Sequence, residues 1–388
     1  MSRASTVLAQ ARTRDLAGVV AERHVIVCTG AGGVGKTTTA AALAVAAARQ
    51  GRRTLVLTID PAWRLAQSLG LSRIGGEPRA VAQVPGLDAM MLDMKRTFDD
   101  VIDRYAPDRR RAERIKSNRF YTQLSDSLAG TQEYMAMEKL YELHATSGYH
   151  CLVVDTPPTR SALDFLDAPK RLTDFLEGRF LSTFLSPGIT ASRTLGRVAA
   201  FGSGLMLKAA SRITGAGVLE DLAEFFQSFE GMYEGFKSRA QATYRLLRSH
   251  QSAFVVVATP EDPALREARY FLQRLAQDGM PTAGLVVNRT TPGMPPSLSG
   301  LRRTHADRAA RLLDEGSSEQ RAAATLLRLA VDRADVHRRE EHAIAAALHG
   351  VDPHTLVEVP LMATDICDVA GLEALSDHLL RTPEGTRE

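Results

Sequence analysis

Two patterns in this chain place reactive groups at spacings that chemistry can use. From Gly30 to Thr37 the sequence GAGGVGKT fits GxxxxGK[ST] at every fixed position, the spacing of a loop that wraps phosphate. In such a loop the backbone N–H groups of Gly30, Ala31, Gly32, Gly33, Val34 and Gly35 turn inward onto phosphate oxygens. A helix starting near Lys36 adds the positive end of its dipole to the same point. Lys36 then reaches the outer phosphates, Thr37 presents a hydroxyl to Mg²⁺, and Thr38 completes the nucleotide-binding set, so the expected ligands are ATP and Mg²⁺.

The second pattern is a polar residue at the end of a β-rich run. Thr58-Ile59-Asp60-Pro61-Ala62 offers a carboxylate that can orient or deprotonate a water attacking a γ-phosphate. Asp followed by Pro is also a common helix start, and both roles can hold together. Asp155 follows the apolar run HCLVV, the Walker-B arrangement for holding Mg²⁺ through water. Asn288 follows Val286-Val287; an amide there can hydrogen-bond an adenine edge or simply form a turn.

Holding these groups together requires a strand before the loop and a helix after it, and both are legible. Val25-Ile26-Val27 is a β-branched run, and the residues after Lys36 are rich in alanine. Further short apolar runs lie at 53–59, 87–92, 150–154, 253–258, 282–287 and 355–359. Separated by helical stretches, they point to parallel strands covered on both faces. The expected fold is α/β, a doubly wound, mostly parallel P-loop NTPase sheet with an inserted helical subdomain. Residues 1–23 read as an arm and short helix, and 24–169 as the first part of the core. Within that part, 95–147 is charged and helical, with a break or cap at 130–133. Residues 170–250 form the insertion, 251–380 the second part of the core with a Pro/Gly/Ser loop at 290–300, and 381–388 a disordered tail. In the insertion Leu219, Leu222, Phe225, Phe226, Phe229 and Tyr233 recur at helical spacing, a face that either packs as core or forms a groove for an apolar partner.

Composition narrows the function classes. With 48 basic and 45 acidic residues the net charge is +3, too small and too scattered to imply a nucleic-acid partner. Three cysteines lie far apart, at Cys28, Cys151 and Cys367, which argues against a disulfide framework or zinc clip and fits a reducing cytoplasm. No apolar run reaches the length of a membrane span, and the amino-terminal stretch lacks the apolar core of a secretory signal. The expectation is a cytoplasmic protein, not integral to the membrane, that meets a membrane only through a partner.

The stretch TGAGGVGKTTTAAALAVAAARQGRRTLVLTIDPAWRLAQSLG, then DTPPTRSALDFL, then VVNR and VPLMATDICDVAGLEAL, together resemble the ArsA family. This family holds arsenite-pump ATPases and ATPases that target tail-anchored membrane proteins, within the deviant-Walker class. The resemblance runs from about Val25 to Leu379. It implies an ATPase that works as a homodimer, or as a heterodimer with an ArsA-like paralogue, opening and closing around ATP and ADP and presenting a helical surface to a membrane-protein or apolar client. It puts the hydrolytic switch on Asp60-Pro61-Ala62, the second switch on 155–163, adenine contacts on Asn288 and around Pro360, and the client surface within 170–250. Three departures stand out. Ala31 occupies the place of the family's signature lysine, which implies a low intrinsic rate or a regulatory subunit that pairs with a Lys-bearing paralogue. Trp63-Arg64 replaces polar residues after the first switch, and Arg160 stands where the second normally has Gly, either as a substitute cation or in a surface salt bridge. The cysteine pairs and triads that bind metal in other members are missing.

Overall fold

Side chains alternate between the two faces of a strand, and in this chain both faces are apolar. In β1 (Val25–Gly30), Val25 and Val27 join one hydrophobic core, while Ile26 and Cys28 join the other. The same division runs through β2 (Thr54–Thr58), β5 (Cys151–Asp155) and β6 (Ser252–Ala258), every residue of which is buried. A strand buried on both sides belongs in the middle of a layered sheet. With β3 (Arg79–Ala80), β4 (Leu87–Met91), β7 (Thr282–Thr290) and β8 (Leu356–Pro360), these strands form one eight-stranded sheet in the order β3-β4-β2-β5-β1-β6-β7-β8. All pairs are parallel except β3 with β4. The computed structural model describes residues 16–60, 64–118, 121, 131–157, 232–293 and 302–381. The arm before Leu16, Pro61–Trp63, Gly130, most of the second switch with Arg160, most of the insertion with the apolar side chains expected at 219–233, most of the 290–300 loop and the tail from 382 lie outside the described residues.

One face carries α1 (Leu16–Glu22), α2 (Lys36–Arg49), α3 (Arg64–Ser68) and α11 (Val369–Leu380). Ala40, Ala41, Ala42, Ala44, Ala46 and Ala47 are all buried. Their small side chains let α2 lie between the sheet and α11. The other face carries α4 (Met94–Tyr105), α5 (Arg109–Ser117), α6 (Thr131–Thr146), α7 (Tyr233–Arg248), α8 (Asp262–Gln277) and the end of α10 (Ser318–Ala347). Helix α10 is 30 residues long and starts at a capping box in which Ser317 and Gln320 exchange side-chain and backbone bonds. It packs back along α9 (Arg303–Asp314).

A buried ion pair joins α6 to α7. The Arg239 Nε donates to Glu138 Oε2 at 2.8 Å and Oε1 at 3.1 Å; the Tyr134 hydroxyl donates to the same carboxylate; and the guanidinium lies 3.7 Å from the Tyr105 ring centroid. Burial still holds the Glu138 carboxyl above its ordinary range, against the pull of Arg239. This junction seats the helix that returns the chain from the 170–232 stretch to the sheet.

Candidate functional site

The parallel order places β1 at the centre, with β5 on one side and β6 on the other. The turns at the carboxyl ends of these strands therefore open into a crevice at the point where the winding reverses. The loop leaving β1 is tight enough to demand glycine twice. A Cβ on Gly30 would stand 2.0 Å from the Val257 carbonyl oxygen of β6. Gly35 adopts φ 99° as the N-cap of α2, and a Cβ there would stand 2.3 Å from Asn288 Nδ2. No side chain among the described residues caps α2, so its first backbone N–H groups look for an acceptor beyond the helix. The buried Lys36 ammonium turns back to donate to the Ala31 carbonyl at 2.7 Å. Burial lowers its pKa, while Asp155 and Asp60 oppose that shift.

Beneath the loop, β5 ends in Asp155, fully buried. Its Oδ2 accepts hydrogen bonds from the Thr37 hydroxyl at 2.8 Å and the Thr58 hydroxyl at 3.0 Å. Its Oδ1 is buried and, among the described residues, has no hydrogen-bond partner. Burial raises the carboxyl to about 6, against the opposing pull of the two hydroxyls and Lys36. An ionised oxygen left without a partner beside a second hydroxyl ligand is the donor set of a hard cation. These residues fit Mg²⁺. Among the described residues no cluster of three acidic, His or Cys side chains could hold a metal by itself, so a cation here would draw its other ligands from water and phosphate, as Mg²⁺ does.

Gly33, Gly35, Lys36, Thr37, Thr38, Asp60, Asn288 and Pro360 line one cleft of ≈ 480 Å³. Seven of the expected nucleotide residues, Gly33, Gly35, Lys36, Thr37, Thr38, Asn288 and Pro360, thus share one cleft, whereas Gly30, Ala31, Gly32 and Val34 are not among the residues that line it. Asp60 stands at its wall, and the preceding residue is fixed from both sides. The Ile59 N–H donates to the Asp155 carbonyl at 3.0 Å, and the Ile59 carbonyl accepts from Gln132 Nε2, at the start of α6, at 2.8 Å. Asn288 does not sit at a turn. It lies inside β7, where Nδ2 donates to the Val34 carbonyl at 2.9 Å and the strand slips register around Arg289, at φ 62°. A non-glycine residue in that conformation is strained, as is common beside functional sites. The wall also contains Arg64, Gln67, Ser68, Arg289, Leu361, Met362, Thr364, Asp365, Ile366 and Cys367, which lie in the stretches quoted above but received no individual binding role there. Thr58 was missed because its role comes from register, Thr58 standing opposite Asp155.

The chain is similar in sequence to known proteins over most of its length. A family model described as anion-transporting ATPase matches residues 23–312. An uncharacterized protein of Streptomyces coelicolor is 31% identical over 283 residues, covering 71% of this chain and 65% of that protein. ATPase GET3 of Malassezia globosa is 27% identical, covering 68% and 72% respectively, and ATPase ARSA2 of Chlamydomonas reinhardtii is 30% identical, covering 70% and 69%.

Proposed function

The chain belongs to the ArsA family of anion-transporting ATPases, and from that premise we propose that it binds Mg-ATP in the cleft above Asp155 and hydrolyses it. The observation that carries the reading is Asp155 itself: a buried carboxylate whose Oδ2 is held by Thr37 and Thr58 and whose Oδ1 has no partner among the described residues. Leaving such an oxygen unpaired is costly unless a ligand completes it.

In this reading the backbone amides from Gly32 to Thr38 bind the phosphates and Lys36 exchanges the Ala31 carbonyl for phosphate oxygens. Thr37 and Asp155 would hold a Mg²⁺ ion, which when bound would supply positive charge against the phosphates. Asp60 orients the attacking water and accepts its proton. Asn288 and Pro360 flank the base. Loss of the terminal phosphate then releases the segments after β2 and β5, which are tied to each other through Ile59 and Asp155. The movement drives opening of a dimer and of a helical surface within 170–250 for an apolar or membrane-associated client, as in membrane-protein targeting or transport. None of the helices among the described residues is long and apolar enough to cross a membrane, which suits action through such a partner.

Asp60→Asn tests the assignment. Turnover should fall by on the order of 10²-fold or more while Mg-ADP binding persists; unchanged turnover would remove Asp60 from the mechanism. Ala31, which brings no cation to the loop, favours a second reading: a weakly hydrolysing regulatory subunit completed by a Lys-bearing paralogue. Stimulation on mixing with such a paralogue supports it, and brisk turnover by the pure homomer removes it.

A further inference from the structure

Arg64 belongs to none of the loops that define the cleft, yet it stands in the wall of that cleft with Lys36, Thr37 and Asp60. It opens α3, four residues after Asp60. Its carbonyl oxygen accepts from the Ser68 hydroxyl; among the described residues the guanidinium has neither ion pair nor hydrogen bond. Several other surface arginines are engaged, Arg49 with Asp377, Arg303 with Asp332, and Arg328 with Asp314. The phosphate loop itself supplies one cation, Lys36, already turned to the Ala31 carbonyl.

We propose that Arg64 is a catalytic residue, its guanidinium binding the terminal phosphate of ATP and stabilising the charge that builds there during hydrolysis. The inference rests on the ATPase reading above. In the step concerned, the water oxygen bonds to the γ-phosphorus as the bond from that phosphorus to the β–γ bridging oxygen breaks. The electron pair stays on the bridging oxygen, which leaves with ADP, and one water proton passes to the Asp60 carboxylate and on to solvent. Charge spreads meanwhile over the three peripheral oxygens. A guanidinium suits these oxygens because its planar fork can give two parallel N–H bonds at once. One segment after β2 thus delivers both the group that takes the proton and the group that stabilises the anion.

The full chain is compared with Arg64→Ala and Arg64→Lys in two assays. One is steady-state ATP turnover, and the other is Mg-ADP affinity with and without aluminium fluoride, which together with ADP mimics the phosphoryl group in transfer. We expect R64A to lose turnover by on the order of 10²–10³-fold, to keep Mg-ADP affinity within about threefold, and to lose the tightening that fluoride gives the unaltered chain. R64K, with the charge but without the fork, falls between. Unchanged turnover and unchanged tightening in R64A overturn the role of Arg64 and leave the ATPase reading intact. An equal loss of affinity with and without fluoride, at constant turnover, also overturns it, because Arg64 would then be a general phosphate anchor. If the unaltered chain does not turn over, the ATPase reading fails. The fluoride comparison then judges the contact by itself: tightening abolished in R64A supports it, and tightening retained or absent throughout overturns it.

Discussion

Replacing Asp155 by Asn and following stability against pH, without nucleotide, isolates the free energy stored beneath the phosphate loop. Burial raises the Asp155 carboxyl from 3.8 to about 6, so the ionised native state is disfavoured by about 3 kcal/mol. Because the folded value lies above the unfolded one, this group's contribution to stability is complete below pH 3.8 and is lost as pH rises through about 6. Between pH 5 and pH 8 the loss amounts to roughly 1 kcal/mol. Asp155→Asn cannot titrate and lacks this term. His24, held low chiefly by burial and also by His144, Arg52 and His150, titrates in the opposite sense but is common to both proteins and cancels in the comparison. Urea unfolding of the two proteins at pH 5 and pH 8 reads the difference of differences directly. If the two agree within about 0.5 kcal/mol, or if the native chain gains more than the variant as pH rises, the charge-burial argument is wrong. With it would go the claim that the unpartnered oxygen is kept for a cation.

Three further outcomes follow from the geometry. Arg239→Ala strands the Glu138 carboxylate and should cost about 3–5 kcal/mol in urea unfolding, whereas exchanging both partners for leucine should recover most of that loss; a cost below about 1 kcal/mol would show that the pair does not anchor α7. Gly30→Ala drives a Cβ into the Val257 carbonyl, while Gly33 has open space around it. Melting should therefore show a loss of about 3 kcal/mol or more at Gly30 against about 1–2 kcal/mol at Gly33, and equal losses would contradict the close approach of β1 to β6. Cys367 is exposed and lines the cleft, whereas Cys28 and Cys151 are buried and their thiols raised by that burial, Cys151 to about 11. A thiol reagent should label one cysteine quickly, and Mg-ADP at ten times its dissociation constant should slow it about tenfold; labelling that ignores nucleotide would place Cys367 outside the site.

The central strands were legible because they are β-branched and buried on both faces, so each reads as an unbroken apolar run. The phosphate loop was legible because glycine and lysine spacing carries its own mechanism. Register was not. Nothing in Thr58-Ile59-Asp60 announces that the Thr58 hydroxyl will meet Asp155, since that contact depends on two strands separated by almost a hundred residues being neighbours. Strand β3, two residues long, has too little length for any periodic signal. The run at 282–287 reads as ending before Asn288, whereas β7 continues to Thr290 by taking up the strained Arg289. In α10 the signal was present, as Ser317 stands three residues before Gln320, but its 30-residue length lies outside the alternation of short helices and strands.

Strand β1 is bordered by residues 151–155 on one side and 252–258 on the other. During synthesis the phosphate loop leaves the ribosome early, while the carbonyl of Val257 that packs against Gly30 and the amide of Asn288 that bonds Val34 emerge more than two hundred residues later. Until β6 has been translated, β1 has an open, mostly apolar edge, the kind of surface on which nascent chains aggregate or recruit chaperones. The pocket whose motif is written first is therefore finished last. A truncated chain ending before Asn288 would carry every residue of that motif and still lack the support that shapes it.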